Sequence, residues 1–519
     1  MIKIFNKKNI GFLFLLILAM LIMISCTKNI QNKVQNVIGD EDEVDNVEDL
    51  IEEKINKDFE NASRVSDFLF QEIEDLGDIK SIVVLADKNM GVKTFIYNAL
   101  DLDLGYDDVS ALTIDFDKNV PMQSYNNLVR DDGENIVIKS GGIYLLKGTL
   151  QNKRIVVEKG IGERIQLVLD GLKINSNKDD VIFINKECIA QIHLAKGSEN
   201  EINVIPANKN NEKSLIFSEN SLVFNGSGKL TINSESEGLI ESDENITFIS
   251  GEYVFNTRGD GIKAKKEVIL KDAIVDLNTG DDAIVSTSDK NGIIYVENAN
   301  IKINSNDKGI SSDNEVLVVG GKLDINSKDE CIGGKIVNLL GGKINLKSGE
   351  DAINASDSNQ NKKANQSDAY IRIMGGEINI DSTMDGIDSN GDLYLDGGKV
   401  FISASEDDNE RIIDYNGNIE CNIGFEMIGV GPAIKMQDLG NTQKQSYIVV
   451  YYKDKMNANS DIELKDENNN IILSFKPNKT YKAALITSGN LEEGNNYKVV
   501  SGDKELSVKL VKGKNEIIE

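Results

Sequence analysis

The chain has 519 residues, of which 40% are hydrophobic and 27% are charged, so it can build an extended core and is not a disordered chain. Its formal net charge is −28, and so large an acidic excess argues against nucleic-acid binding, which needs a basic stripe. Acidic surfaces of this kind serve solubility or bind divalent cations.

The first 25 residues have the features of a secretion signal. Three lysines precede an apolar run over residues 10–24, and Ser25 stands directly before Cys26. This order is typical of a bacterial lipoprotein signal, so it predicts lipidation of Cys26 and an extracytoplasmic, membrane-anchored location. An uncleaved membrane anchor is the alternative, although about 15 apolar residues are few for a bilayer.

Residues 26–110 are predicted to form a tether followed by a helical or small mixed segment. Apolar residues recur there at helical spacing, with charged residues between them: Val44, Val47, Leu50, Ile51 and Ile55. The sequence indicates no purpose for this segment.

Short β-branched runs separated by glycine and asparagine repeat from residue 111 to residue 440. One apolar anchor position recurs at steps of 21 to 26 residues, with one step of 34 that contains a polar insertion (356–368): Leu239, Ile262, Ile284, Ile310, Ile332, Ile353 and Ile387. About 22 residues fit one coil of a parallel β-helix, with successive coils roughly 4.8 Å apart. The sequence therefore predicts an all-β chain whose residues 111–440 form a right-handed parallel β-helix.

An asparagine stands six residues before five of these anchors, at Asn233, Asn256, Asn278, Asn304 and Asn326. Asparagine tolerates the left-handed backbone of a tight corner, and a stacked amide can hydrogen-bond to the copies above and below it. We therefore expect a structural ladder. Gly-Gly pairs at 320–321, 341–342, 375–376 and 397–398 mark another corner of the coil.

Acidic residues stand two and three positions before the anchors and predict a ridge of carboxylates along one edge of the helix. The members are Asp260, Asp281, Asp282, Asp307, Asp329, Glu350, Asp351 and Asp385. Carboxylates about 5 Å apart repel by roughly 1 kcal/mol per pair in water, and by more when they are partly desolvated. Splayed side chains in water, raised pKa values or a bound cation would each relieve that repulsion.

A calcium site is the functional interpretation of this ridge, because Ca²⁺ accepts six to eight oxygen ligands in irregular geometry. The first candidate cluster lies where the positions two and three residues before an anchor are both acidic. It consists of Asp281, Asp282 and Asp307, and Asp260 and Asp329 flank it. Glu350 and Asp351 form the second candidate. The alternative is a solvated turn, in which Asp and Gly are simply favoured corner residues.

Histidine and cysteine chemistry is not expected. His193 is the only histidine and alternates with apolar residues in QIHLA, which favours a place in the core or on a strand face. Cys188, Cys331 and Cys421 are widely spaced and are predicted to be buried thiols.

Residues 441–519 carry strand-like runs such as SYIVVYY, IILSF and YKAALIT, joined by asparagine and glycine turns. They predict a small β module. Because a solenoid needs a covered end, capping is its expected role.

An ordered series of motifs resembles a family of secreted bacterial carbohydrate-binding parallel β-helix proteins, known chiefly from clostridia and similar to pectate lyases in architecture. The motifs are SLVFNGSGKLTINSESEG (221–238), GDGIKAKKEVIL (259–270) and IDYNGNIECNIGFEMIGVG (413–431). The resemblance covers roughly residues 111–500 and implies calcium-containing binding of cellulose or pectin-type polymers. Of the individual calcium ligands, the resemblance implies only Asp260 and Asp385, which stand in Asp-Gly-Ile segments.

Three functions remain open. The first is a membrane-tethered, calcium-dependent polysaccharide-binding protein; without tryptophan for ring stacking, it would take an acidic glycan bridged by divalent ions. The second is a polysaccharide lyase acting on uronate polymers, with Arg258 as the weak candidate base, although a partner of the acidic ridge is the commoner role for such an arginine. The third is a structural spacer or adhesin.

Overall fold

A computed structural model describes residues 68–76, 79–87, 91–118, 128–158, 164–185, 187–207, 214–357, 368–440 and 444–519. The chain divides into two compact units, Met1–Asp103 and Leu104–Glu519.

The described part of the first unit is a three-stranded antiparallel sheet in the order β1-β2-β3, followed by one helical turn, α1 (Ala99–Leu102). The strands are β1 (Phe68–Leu76), β2 (Ile79–Asp87) and β3 (Gly91–Asn98). The prediction of a helical segment is not supported in this part, where β-branched runs such as IVVL in β2 favour strands. The helical spacing between Val44 and Ile55, the signal segment and Cys26 lie outside the described residues.

The second unit opens with strands of varied length and continues with shorter ones at regular intervals. The strands to residue 279 are β4 (Leu112–Asp115), β5 (Val129–Asp131), β6 (Asn135–Ile138), β7 (Gly142–Gln151), β8 (Arg154–Val157), β9 (Arg164–Ser176), β10 (Ile182–Ile184), β11 (Ile189–Leu194), β12 (Glu199–Val204), β13 (Ser214–Ser218), β14 (Leu222–Gly226), β15 (Lys229–Ser234), β16 (Gly238–Ser242), β17 (Ile246–Phe248), β18 (Glu252–Asn256), β19 (Asp260–Ala264), β20 (Glu267–Lys271) and β21 (Ile274–Thr279).

The remaining strands continue the coils and then form the C-terminal end of the chain. They are β22 (Ile284–Ser286), β23 (Ile293–Glu297), β24 (Asn300–Ser305), β25 (Ile310–Val318), β26 (Lys322–Ser327), β27 (Ile332–Leu339), β28 (Lys343–Ser348), β29 (Ile353–Ala355), β30 (Tyr370–Ile373), β31 (Glu377–Ser382), β32 (Ile387–Ser389), β33 (Asp392–Leu395), β34 (Lys399–Ser403), β35 (Ile413–Tyr415), β36 (Ile419–Cys421), β37 (Glu426–Gly431), β38 (Tyr447–Met456), β39 (Ile462–Lys465), β40 (Ile471–Phe475), β41 (Tyr481–Thr487), β42 (Asn496–Ser501), β43 (Lys504–Lys509) and β44 (Lys514–Ile518).

The strands from β6 to β37 stack in parallel register and form a solenoid of about 11 turns. The ladder stack contains β12, β15, β18, β21, β24, β26, β28, β31, β34 and β37. The anchor stack contains β10, β13, β16, β19, β22, β25, β27, β29, β32 and β35. A third stack runs through β11, β14, β17, β20, β23, β30, β33 and β36, joined by the far ends of β25 and β27. The prediction of an all-β parallel solenoid is confirmed.

One continuous apolar core fills the coils. Alternate residues of each ladder strand point inward; in β18, Tyr253 and Phe255 are buried while Val254 is not. The rings of Phe224 and Phe248 on successive coils stack with centroids 4.5 Å apart. Because each buried apolar side chain contributes about 1.5–3 kcal/mol, this column holds the coils together.

Two details of the repeat differ from prediction. Coils average about 24 residues rather than 22, because several turns carry insertions. The register pairs Ile240, not Leu239, with Ile262, so the first anchor is displaced by one residue. Leu239 is also buried, and apolarity alone therefore does not distinguish the two positions.

The second glycine of each Gly-Gly pair has a left-handed backbone, with φ of 103° at Gly321 and 99° at Gly342. A Cβ at Gly321 would lie 2.4 Å from the carbonyl oxygen of Ala299 on the preceding coil. Both the backbone conformation and the coil spacing therefore require glycine at this corner.

The stacking ends where β41 pairs antiparallel with β37. Strand β38 then pairs with β41 and β44, while β40, β39, β42 and β43 form a separate four-stranded sheet. A second hydrophobic cluster, which includes Ile448, Leu464 and Val499, lies between these elements. The edge of the last coil is thus covered by residues from the C-terminal β module.

Candidate metal centres on the acidic ridge

The five predicted asparagines lie on adjacent coils in one column of the ladder stack. Each side-chain Nδ2 donates to Oδ1 of the preceding asparagine, at 2.9 Å for Asn256, Asn278 and Asn304 and at 3.4 Å for Asn326. The column also includes Asn203 and Asn175, which the regular spacing does not predict because their coils are longer.

The ladder asparagines lie within strands. Among the described residues, the non-glycine residues with positive φ are other ones: Asn152, Asp272, Asn298, Asn459 and Asn469. The expectation of left-handed corners at the ladder is therefore wrong. Hydrogen bonding between amides is the physical reason for this column.

The acidic ridge occupies the turns between the ladder stack and the anchor stack. Its positions are fixed by the register of the anchors, in which Ile262, Ile284, Ile310 and Ile332 lie directly above one another. Among the described residues, the structure gathers ridge carboxylates into three groups whose oxygens lie within 4.8 Å of one another.

The first group is Asp281, Asp282 and Asp307, the cluster favoured by the sequence. Burial raises the pKa of Asp307 to about 6, and the charge of Asp282 adds to the effect. Burial also raises the pKa of Asp282, although its Oδ1 accepts a 3.0 Å hydrogen bond from the backbone N–H of Lys308. The carboxylates thus share a partly desolvated site and repel one another.

The second group is Asp329, Glu330 and Glu350. Burial raises the pKa of Glu330 to about 7, although Nζ of Lys308 lies 3.2 Å from its Oε2. The charge of Asp329 raises the pKa of Glu350. The sequence had placed Glu350 with Asp351, but the turn directs these neighbours into different surroundings.

The third group is Asp385, Asp388 and Asp414, and burial raises the pKa of both Asp385 and Asp388 to about 7. Arg411 contacts Asp414 through its guanidinium and donates its backbone N–H to Asp385. The positive charge of Arg411 therefore already offsets part of the repulsion within this group. Asp388 and Asp414 follow their anchor isoleucines directly, a position at which the repeat carries no regular acidic residue that would predict a site.

Asp351 and Asp260 lie outside the three groups. Asp351 accepts a 2.8 Å hydrogen bond from the backbone N–H of Asp385, and burial raises its pKa to about 6. Asp260 pairs with Lys263 at 2.9 Å. Next to Asp351, the buried Oδ1 of Asn354 has no hydrogen-bond partner among the described residues, so an uncommitted neutral oxygen is available there.

The chemistry of the ridge fits a hard divalent cation. Its donors are carboxylate oxygens, with one unpartnered amide oxygen and no histidine or thiol among them. Ca²⁺ takes such ligands at irregular angles, whereas Mg²⁺ requires near-ideal octahedral geometry and Zn²⁺ favours nitrogen and sulfur. Among the described residues, no lysine or arginine nitrogen lies within 4 Å of a carboxylate oxygen of Asp281, Asp282 or Asp307, whereas the other two groups each have such an ion pair. The first group is therefore the first choice for holding the ion.

The other residues singled out by sequence lie apart from these groups. Arg258 forms an ion pair with Glu237. His193 is buried, with Nδ1 2.8 Å from Oδ1 of Asn225, and the three described cysteines are buried free thiols. Tyr253 and Tyr295 are fully buried and present no ring to a ligand.

A search of the described part of the chain finds no helix with the length and apolarity needed to span a bilayer.

Comparison with known proteins yields a family, a relative and a structure. The family model described as "Carbohydrate-binding domain-containing protein" matches residues 132–408 and 309–509. A protein of that description from Acetivibrio thermocellus is 25% identical over 150 residues, which are 28% of this chain. The match spans 52% of that relative, about half its length.

The solved structure of a polysaccharide lyase-like protein from C. thermocellum, a gadolinium derivative, aligns with 60% of this chain and 95% of its own. The identity is 19% and the TM-score is 0.29, so this likeness carries no functional argument.

Proposed function

The chain belongs to the family of carbohydrate-binding domain-containing proteins, and from that premise we propose that it is a calcium-dependent receptor for an acidic polysaccharide, anchored to a membrane through Cys26. The observation that carries the calcium part is the group of Asp281, Asp282 and Asp307, whose carboxylate oxygens lie within 4.8 Å of one another.

Calcium would remove the repulsion that this group otherwise bears. Asp282 and Asp307 are partly desolvated while Asp281 is exposed, and the charges of neighbouring carboxylates help to raise the pKa values of Asp282 and Asp307, in each case after burial. A divalent ion would replace that repulsion by attraction and would keep free coordination positions for a second ligand. Binding of the ion is expected to release protons near neutral pH.

An acidic glycan is proposed as the ligand because of the net charge of the chain and the scarcity of exposed aromatic rings. A polymer of uronates would be repelled by a chain of net charge −28 unless divalent ions bridge the two sets of carboxylates. A neutral crystalline glycan would need aromatic platforms, yet the chain has no tryptophan and Tyr253 and Tyr295 are buried. Polygalacturonate is therefore the first polymer to test and cellulose the second.

The membrane anchor rests on the sequence of residues 1–26. In metabolic labelling with a palmitate analogue, the unmodified chain should incorporate the label and the Cys26→Ser variant should not. The variant should also be absent from the membrane fraction. Incorporation of label by Cys26→Ser would exclude this anchor.

Calorimetry of the calcium-depleted full chain is the test of the proposed function. Calcium uptake, followed by binding of polygalacturonate that EGTA reverses, is the expected result. Fully methyl-esterified polymer is the matched control, because it retains the backbone and loses the carboxylates. The variant carrying Asp281→Asn, Asp282→Asn and Asp307→Asn should lose one calcium and weaken polymer binding. No calcium uptake at millimolar concentration would contradict the proposal and favour a structural spacer.

A lyase is the second candidate because Arg411 lies beside Asp385, whose pKa burial raises to about 7. Its guanidinium is 3.9 Å from Asp385 in addition to contacting Asp414. Absorbance of the unsaturated product, followed during the same titration, separates the functions: a binding protein gives none, and a lyase gives an increase that Arg411→Lys would reduce.

A further inference from the structure

Two cavities lie along the outer face of the ladder stack and meet at Asn304 and Asn326. The larger, of about 970 Å³, is lined from Asn203 to Lys328, and the smaller, of about 430 Å³, from Lys302 to Asn478. Together they form a trough, called the ladder groove below, that crosses successive coils. We propose that the ladder groove is the surface on which a linear acidic polysaccharide lies along the solenoid axis.

The floor of the ladder groove has free hydrogen-bonding capacity at regular intervals. From Asn233 to Asn304, each amide uses one hydrogen of Nδ2 and one lone pair of Oδ1 within the column. One N–H and one lone pair per asparagine remain, and both kinds suit sugar hydroxyls. Because coils repeat about every 4.8 Å, a linear polymer parallel to the axis would meet equivalent groups again and again.

The charge of the ladder groove is opposite to that of the chain. Its cationic lining side chains are Arg258, Lys302, Lys328, Lys347 and Lys476, and its acidic ones are Glu235, Asp324 and Asp381. Asp381 pairs at 2.6 Å with Lys479, and Asp324 pairs at 2.6 Å with Lys322. Two of the cations are paired as well, Arg258 with Glu237 and Lys302 at 3.1 Å with Asp276, so the excess comes from the remaining three lysines. Lys328, Lys347 and Lys476 are exposed, and no carboxylate among the described residues lies within 4 Å of their Nζ atoms. On a chain of net charge −28, this local excess selects an anionic occupant.

The ladder groove borders the acidic ridge. Gly280, Asn306 and Lys328 line the groove, and each is followed directly in the chain by a ridge carboxylate: Asp281, Asp307 and Asp329. A polymer resting on the amides would therefore have its carboxylates beside calcium held on the ridge. This placement rests on the proposed function, since it specifies where the calcium-dependent polymer binds and how it is oriented relative to the solenoid axis.

The C-terminal β module closes one end of the ladder groove. Phe475 stacks on Phe401 with ring centroids 5.3 Å apart, and both rings are only partly buried. Asn478 donates a 2.6 Å hydrogen bond from Nδ2 to Asp381, which fixes this wall to the ladder stack. A half-exposed ring at the end of a polar trough suits the apolar face of a terminal sugar ring.

Two groove variants of the full chain test the proposal. Asn306→Trp would fill the groove at an exposed position, and the double variant Lys328→Gln and Lys347→Gln would remove two unpaired charges. The matched controls are Thr287→Trp and the pair Lys290→Gln with Lys435→Gln, all exposed residues outside the groove lining. Calcium uptake and polygalacturonate binding are measured for every protein.

The expected result is unchanged calcium uptake throughout, with polymer binding weakened about tenfold in the charge variant and by more in Asn306→Trp. The controls should bind like the unmodified chain. Equal polymer binding by the groove variants would overturn the ladder groove as the site while leaving the proposed function intact. Equal binding of methyl-esterified polymer would overturn the acidic occupant. Failure of the unmodified chain to bind any polymer would refute the proposed function, and this inference with it.

Discussion

The asparagine ladder and the acidic ridge are built from the same repeat, only a few residues apart, and respond to stacking in opposite ways. An amide has both a donor and an acceptor, so a column of identical asparagines satisfies itself, as from Asn233 to Asn326. A carboxylate only accepts, and a column of carboxylates therefore accumulates repulsion.

A stacked position therefore tolerates repetition only when the side chain complements its own copy. Where it does not, the repeat must be interrupted or compensated. The ridge does both: Lys308 replaces an acid and lies against Glu330, and Arg411 replaces one and lies against Asp414. Asp281, Asp282 and Asp307 have less help of this kind, and there we propose calcium.

Calcium should change the free energy of unfolding more than any substitution below, because it would convert the ridge from a destabilising into a stabilising column. At one hundred times the dissociation constant, each site would add about 2.7 kcal/mol to the free energy of unfolding. Guanidinium denaturation with calcium and with EGTA measures the gain. The triple Asp→Asn variant of the first group should lose one site's share, and an unaltered gain in that variant would contradict the assignment.

Replacing one ladder amide by a carboxylate should have the next largest effect on the free energy of unfolding. Asn278→Asp keeps an acceptor for Asn304 but faces Oδ1 of Asn256 with a second acceptor. We expect a loss of about 2 kcal/mol in the free energy of unfolding, since one hydrogen bond is replaced by repulsion. Asn300→Ala, at the exposed start of the next ladder strand, is the control and should cost less than about 0.5 kcal/mol.

The pH dependence of stability should distinguish the ridge from the ladder without any mutation. Folded-state pKa values of about 6 to 7 at Asp307, Asp351, Glu330, Asp385 and Asp388 lie above those of the unfolded chain. The folded chain therefore binds protons more tightly, and calcium-free stability rises as pH falls from about 7 toward 4.

The slope is about 1.4 kcal/mol per pH unit for each proton held in the folded state and absent from the unfolded one. Saturating calcium should flatten it, because the metal competes with those protons. Denaturation midpoints between pH 4 and pH 8, with and without calcium, provide the measurement. A calcium-free curve that stays level through pH 6 would contradict the raised pKa values.

The reverse exchange, from ridge to ladder chemistry, should have the smallest effect. Asp282→Asn can retain the acceptor for the backbone N–H of Lys308 while removing one charge from the first group. Without calcium, the variant should be more stable by about 1 kcal/mol, and with calcium it should be less stable. A change of the same sign under both conditions would show that the charge of Asp282 does not govern its contribution.

Much of the repeat could be predicted because its signal is periodic. The spacing of the isoleucines predicted parallel stacking, and the asparagine positions predicted a ladder with the observed register from Asn233 to Asn326. The prediction failed where two residues fit a local rule equally well, as Leu239 and Ile240 do. It also missed Asn175 and Asn203, whose coils are lengthened by insertions, so that their phase is visible only in three dimensions.

The carboxylate groups were less predictable because metal geometry depends on the directions of side chains. Sequence placed Glu350 with Asp351, yet Glu350 lies with Asp329 and Glu330. Asp385 and Asp388 flank the same anchor, Ile387, and Asp414 joins them because it lies directly opposite Asp388 on the next coil.

The coil, the core column, the ladder and the acidic character of one edge can be predicted from the amino-acid sequence, because they follow from the chemistry of single residues repeated at a fixed interval. The folded chain is needed to see which carboxylates share a site, where lysine and arginine neutralise them, and that a cationic groove runs beside an acidic ridge. Those features depend on distances of a few ångströms between coils, which periodicity alone does not specify.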